Sequence, residues 1–399
     1  MPHPLACALA LAVVLLPPTA AAAQRAAPPE RHRVTGTLNV PGRQAVSAAT
    51  LRRLRAPRGF SVTVFAESLG APRMLAVGRD GSVYVTRRDS GDVVALRDTD
   101  GDGRADERRR VVSNIPHVHG IAIHRGVMYL ASVTEIWQAA VNADGTVGEP
   151  RRIVDDLPDG GQHPNRTLAI GPDGMLYVSI GSSCNACVET NPEHATILRM
   201  RIDGTDRSVH ARGLRNTIGW GWQPQTGELW GMDHGTDWRG DAIPPEELNR
   251  IQQGRHYGWP YCWGEQRVDS AFVGDPPGTT KEALCRTTVA PNNTIIAHSA
   301  PIGMVYYTGG LFPVEYRGDA FVAMRGSWNR STPSGYKIVR IDFEDGQPAA
   351  IEEFVTGFLS EDGRAFSGRP AGITTTREGA LLVSDDVNGV IYRVSYAPP

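Results

Sequence analysis

The sequence predicts an all-β fold, a six-bladed β-propeller of four-stranded antiparallel blades, on three observations. A strand–turn–strand unit recurs along the chain, further strands follow several copies, and long helical periodicity is missing. The unit appears as "MLAVGRDGSVYVTRR", "GIAIHRGVMYLASV", "TLAIGPDGMLYVSIG", "TIGWGWQPQTGELWGMDHG", "EYRGDAFVAMRGSWNR" and "GITTTREGALLVSDD". Asp-Gly, Arg-Gly or a similar pair holds each turn, where a hairpin needs residues that tolerate positive φ, and β-branched or aromatic residues flank it. "DVVALRD", "TILRMRID", "KIVRIDF" and "GVIYRVSY" supply further strands. Such units each leave an apolar face that only a neighbour can cover, so a closed ring is the economical arrangement. The last strand, "GVIYRVSY", is expected to close the ring against the first blade's sheet.

In chain order, "MPHPLACALALAVVLLPPTAAAAQ" is not fold material. Its apolar run, Leu5 to Leu16, is short for a bilayer span and precedes Pro17, Pro18 and small residues suited to cleavage near Ala23. Residues 1–23 therefore read as a signal peptide that carries Cys7 away, and the protein as periplasmic or secreted. Residues 24–47 read as an extended lead-in, and 48–399 as a single propeller domain. No later apolar run is long enough to cross a membrane. "PPEELNRIQQG" is the best short helix candidate, with two prolines at its start, acids in its first turn and Gly254 after its end. Residues 259–297 lack the strand repeat and read as an inserted loop.

Four cysteines remain after the leader, Cys184, Cys187, Cys262 and Cys285. An even number in an exported chain favours disulfides, with 184 to 187 and 262 to 285 the expected pairs and zinc the rival use. Val188 follows Cys187, so "CNAC" is not a haem-attachment motif. The formal net charge of −2 gives no electrostatic reason to expect nucleic acid or an anionic membrane as partner.

Several segments carry chemistry. Asp98–Glu107, "DTDGDGRADE", begins like a calcium loop, but Arg109 stands where an EF-hand needs its bidentate Glu. A structural calcium loop and a solvated acidic turn both remain open there. His119, His163, Arg215 with Asn216, His298 and Arg369 stand just ahead of strands in five of the units. Any one alone reads as a solvated loop residue. In register, they converge on one end of a propeller channel as a cationic, proton-accepting pocket suited to an anionic ligand. A further cluster, "MDHGTDWRGDAIPPEELNRI", brings His234, Gly235, Asp237, Asp241, Glu246 and Glu247 close together, a set that suits a hard cation.

Taken together and in order, "QHPNRTLAIGPDGMLYVSIG", "GLRNTIGWGWQPQTGELW", "DHGTDWRG", "PPEELNRIQQGRHYGWPYCWG", "HSAPIGMVYYTG" and "GRPAGITTTREGALLVSDDVNGVIYRVSY" resemble the soluble PQQ-dependent sugar dehydrogenases, the sorbosone dehydrogenase branch above all. The resemblance covers nearly all of the chain after the leader. It implies a six-bladed propeller holding pyrroloquinoline quinone and calcium on its axis, a sugar or aldehyde as substrate, and an external acceptor such as a cytochrome or quinone. His163 matches the family's general base and Arg215 the arginine that stabilises negative charge on the quinone oxygen. Asn216, His298 and Arg369 match cofactor contacts, with Arg325 and His119 looser matches. Gly235 and Thr236 match the pair whose backbone carbonyls bind calcium. Two departures stand out: Thr236 replaces a proline, and Gln162 replaces an acid that precedes the base in the glucose-oxidising branch.

Two other classes compete. A calcium-dependent propeller lactonase needs several carboxylate or Asn side chains on the axis, and a non-catalytic binding propeller needs neither base nor cationic contacts.

Overall fold

Five of the six inner hairpins reverse the chain with a glycine in the left-handed position. In the computed structural model, which describes Met1 and residues 36–398, Gly81, Gly174 and Gly379 have φ of 87°, 75° and 101°, values that strain a residue bearing a Cβ. The carboxylates of Asp80 and Asp173 accept the N–H of Ser82 and Met175 two residues on, locking two of these turns. Apart from Met1, the stretch 1–23 expected to be a signal peptide and lead-in residues 24–35 lie outside the described residues.

Six four-stranded sheets follow, as the repeat predicts. Their first strands are Pro72–Val77, Gly120–His124, Leu168–Ile170, Thr217–Trp222, Pro301–Tyr306 and Pro370–Thr375, and these inner strands pack against one another around the axis. Second strands such as Leu176–Ile180 and Ala320–Met324 are buried along their whole length, because neighbouring blades cover both faces. Their sequences accordingly run apolar without alternation. An apolar cluster fills each seam: Phe65, Leu75 and Ile391 between the sixth and first blades, Val178 with Tyr129 between the second and third, Trp230 with Phe343 between the fourth and fifth.

Ring closure differs from the expected one. Val390–Tyr396 stays in its own blade, and Phe60–Ala66 from the other end of the chain pairs antiparallel with it, Phe60 opposite Tyr396 and Val62 opposite Val394. That blade would otherwise have three strands and a bare edge, which the early strand covers. The lead-in is tied down from residue 39 onward: Asn39 donates its N–H to Trp328 O, and Gly42–Arg43 pair in parallel with Ala365–Phe366.

Three local readings need correction. "PPEELNRIQQG" contains no helix; Glu246–Arg250 is the third strand of the fourth blade, between Leu229–Asp233 and Asn293–Ile295. Leu248 fills the seam to the fifth blade, and that tertiary burial overrides helix propensity. The insertion ends early, since Asn293–Ile295 is the outer strand of that same blade. In "EYRGDAFVAM", Glu315 and Tyr316 belong to a 3₁₀ turn; the hairpin partner of Ala320–Met324 is Pro301–Tyr306.

Both expected disulfides are present, Cys184–Cys187 and Cys262–Cys285, the second pinning the insertion. In the 98–107 loop, Asp98, Asp100 and Asp102 accept the loop's own backbone N–H groups, as acidic turn-formers do. Among the described residues, no helix is long and apolar enough to cross a membrane.

Candidate active site

The leading ends of the inner strands surround a cavity of about 350 Å³. His163, Arg215, Asn216, Gly235, His298, Arg325 and Arg369 all line it, joined by Arg73, His234, Asp237, Glu246 and Asn329. A second cavity of about 390 Å³ shares Arg73, Asn165 and Arg325 with it.

His163 sits on the loop before the third blade. Its Nδ1 lies 2.9 Å from both the carbonyl oxygen and the hydroxyl of Ser182. The hydroxyl donates to Cys184 O at 2.7 Å and the carbonyl can only accept, so Nδ1 carries the proton and Nε2 keeps its lone pair. Burial, reinforced by the charge of Arg215, lowers the imidazole from its ordinary value to about 3. The ring is therefore neutral at ordinary pH. Gly181 allows this packing, since a Cβ there would lie 2.5 Å from His163 Cβ and 2.9 Å from Asn216 Oδ1.

Arg215 opens the fourth blade, where buried Asp233 accepts the N–H groups of Arg215 and Asn216 and the hydroxyl of Thr217. Its guanidinium gives Nε to Asn185 O at 3.0 Å, and Nη2 to Asn185 Oδ1 and Asp237 Oδ2, each at 2.8 Å. Asn329 donates to the other oxygen of Asp237. Among the described residues Nη1 has no partner, which leaves two N–H groups for a ligand.

Three arginines line the cavity near a single acid, and two of them bond it. Arg73 and Arg325 both bond Asp386. Arg369 reaches only the carbonyls of Arg325 and Gly326, with its guanidinium over the Tyr336 and Phe366 rings. Burial first, then repulsion from Arg325, lowers Arg369 to about 10. So much positive charge against one carboxylate favours a ligand with several negative groups. His119 does not line the cavity. It is fully buried beneath Arg73, accepting Arg73 Nε on its Nε2 at 3.3 Å while Nδ1 donates to Arg166 O.

Gly235 and Thr236 follow the second strand of the fourth blade, and among the described residues neither carbonyl accepts a hydrogen bond, so both are free for a hard cation. Gly235 lines both the cavity and a small void of about 20 Å³ beside it, whereas Thr236 lines only the void, together with Asp233 and Glu247. Glu246 accepts the N–H of Gly235 and of Ala300, both at 3.0 Å, and burial raises it to about 7. The acids that look like helix-start charges in the sequence thus serve as backbone acceptors. His234 donates Nε2 to Pro301 O, and burial lowers it to about 4. His298 donates Nε2 to Gly240 O at 2.8 Å from a backbone with φ of 66°, a strained conformation of the kind that gathers at functional sites.

Sequence reasoning passes over Arg73, Asn329 and Asn185. Arg73 stands ahead of the "MLAV" hairpin as the other basic residues stand ahead of theirs, so the repeat register carries its signal. Asn185 and Asn329 lie on irregular loops with none.

An uncharacterized protein of Borreliella burgdorferi is 30% identical over 359 residues, covering 86% of this chain and 91% of its own. A pyrroloquinoline quinone-dependent pyranose dehydrogenase of Coprinopsis cinerea is 23% identical over 405 residues, covering 85% of this chain; the match spans 54% of that longer protein. The holo structure of the PQQ domain of the Coprinopsis cinerea pyranose dehydrogenase superposes with a TM-score of 0.73 at 22% identity, over 86% of this chain and 97% of the domain. The TrAA12-like family matches residues 54–397, so the chain belongs to that family, in keeping with its resemblance to soluble PQQ-dependent sugar dehydrogenases.

Proposed function

We propose that this is an exported, PQQ- and calcium-dependent dehydrogenase that oxidises a sugar, a sugar-derived aldehyde or an alcohol and passes electrons to an external acceptor. The observation that carries the reading is a neutral imidazole with a free lone pair in the same cavity as three arginines, two of which share a single carboxylate while the third, Arg369, reaches only backbone carbonyls. A tricarboxylate quinone answers that charge imbalance, and Arg offers carboxylates a bidentate fork. Arg73, Arg325 and Arg369 would hold the carboxylates, with Asn216 and His298 as further contacts. The Gly235 and Thr236 carbonyls suit calcium, a hard cation that takes oxygen ligands. When bound, the quinone supplies a hydride-accepting carbonyl and calcium a Lewis acid that polarises it.

The chain's own residues do the rest. His163 Nε2 accepts the proton of the substrate hydroxyl, and Ser182 holds the tautomer that makes this possible. Arg215 Nη1 offers donors to an oxygen gaining negative charge, with Asn185 and Asp237 fixing the guanidinium in advance. The carboxylates that a lactonase needs on the axis are occupied otherwise, Asp237 with Arg215 and Asn329, Glu246 with two backbone N–H groups.

Reconstituting the apoprotein with PQQ and calcium, then following dye reduction with a panel of sugars and aldehydes, tests the reading. Saturable quinone binding and sugar-dependent dye reduction support it. A folded protein that binds no quinone overturns it.

A further inference from the structure

We propose that Asn185, held inside the Cys184–Cys187 loop, is a positioning residue that fixes Arg215 and Asp237, and that the disulfide is what keeps it in place. This rests on the reading of Arg215 given above.

Each polar atom of Asn185 except its backbone N–H is engaged on this one wall. Its carbonyl oxygen accepts Arg215 Nε at 3.0 Å and the Trp259 indole N–H at 3.2 Å. Its Oδ1 accepts Arg215 Nη2 and the Asp237 N–H, each at 2.8 Å, and its Nδ2 donates to Asp237 O at 3.1 Å. One residue thus grips the guanidinium on two nitrogens and pairs with both backbone groups of the acid that neutralises it.

The same loop reaches the candidate base. Ser182 N donates to Arg215 O and Gln162 N to Ser183 O, so residues 182–183 bridge the His163 loop and the Arg215 turn. Ser182 also sets the His163 tautomer, with its hydroxyl anchored on Cys184 O. No strand or helix spans residues 181–195, so an irregular backbone carries both groups. The bond between Cys184 and Cys187 closes that backbone around Asn185, restricting the alternatives open to a short loop. Supporting groups of this kind, which orient the residues that touch substrate, set how well a site is preorganised.

The test uses the full chain with Asn185→Ala, Asn185→Asp and a Cys184→Ser/Cys187→Ser double variant, each checked for a melting temperature near that of wild type. With quinone and calcium saturating, Asn185→Ala is expected to lose about 10- to 100-fold in kcat with little change in KM. Asn185→Asp keeps the acceptor oxygen for Arg215 and recovers most of the loss; the serine pair loses activity in the same direction as the alanine. In the apoprotein, Asn185→Ala and the serine pair speed amide exchange in peptides containing Asp237. Unchanged kcat and unchanged exchange in Asn185→Ala overturn the proposal, as does a loss that tracks a collapsed melting temperature and is not recovered by Asp. Wild-type behaviour of the serine pair overturns the part assigned to the disulfide. A wild-type protein that binds no quinone, with the exchange effect still present, contradicts the dehydrogenase reading and leaves the positioning role of Asn185 standing.

Discussion

The Nδ1 atom of His163 lies 2.9 Å from the carbonyl oxygen of Ser182, and that contact leaves the opposite ring nitrogen, Nε2, as the acceptor. Gln162 stands where the glucose-oxidising branch has an acid ahead of its base, yet the His163 ring is oriented all the same, by a backbone carbonyl from the irregular loop that follows Leu176–Ile180.

Replacing His163 by Gln removes the proton acceptor while keeping a polar side chain of similar reach. The expected loss in kcat is about 10²–10⁴-fold, with the quinone dissociation constant nearly unchanged. Steady-state dye reduction and a quinone titration of the same preparation check it.

Arg215→Ala removes the free Nη1 donors and leaves Asp237 without its cation. A fall in kcat of about 10²–10³-fold is expected. Arg215→Lys restores charge but not the two-nitrogen grip on Asn185, so steady-state kinetics should place it nearer Ala than wild type.

Arg369→Ala strips one cation from the wall that Asp386 shares with Arg73 and Arg325. A hydrogen bond to a charged group contributes about 1.5–3 kcal/mol, so the quinone should bind about tenfold or more weakly in equilibrium titration.

Glu247 governs part of the pH dependence of stability. Burial, opposed by the Gly264 N–H and reinforced by Asp233, raises it to about 8. The folded state therefore binds this proton more tightly than the unfolded chain. Its contribution is fully present below the ordinary carboxylate value and is lost as pH rises towards 8. The melting temperature of wild type relative to Glu247→Gln should fall between pH 5 and pH 9 in thermal scans.

The blades were legible in the sequence because their turns depend on local chemistry: Asp-Gly and Glu-Gly pairs tolerate the positive φ that the hairpins need. The cavity lining is legible where it follows the same register, as His163, Arg215 and Arg369 do ahead of inner strands. The helix reading of Glu246 and Glu247 fails because prolines and acids ahead of Leu248 imitate a helix start where the chain forms a strand. Only the neighbouring strands reveal that the acids face backbone N–H groups. Ring closure by Phe60–Ala66 and the role of Asn185 depend on partners far along the chain, 334 residues away for the Ser61–Ser395 contact, and no local pattern records them.

The most direct test of the account follows the absorbance of protein-bound PQQ after mixing with sugar in the absence of any external acceptor, for wild type and His163→Gln. The account predicts rapid reduction in wild type and reduction slowed by about 10²-fold or more in the variant at equal quinone occupancy. Equal rates in the two proteins, or bound quinone that no sugar or aldehyde reduces in wild type, would contradict it.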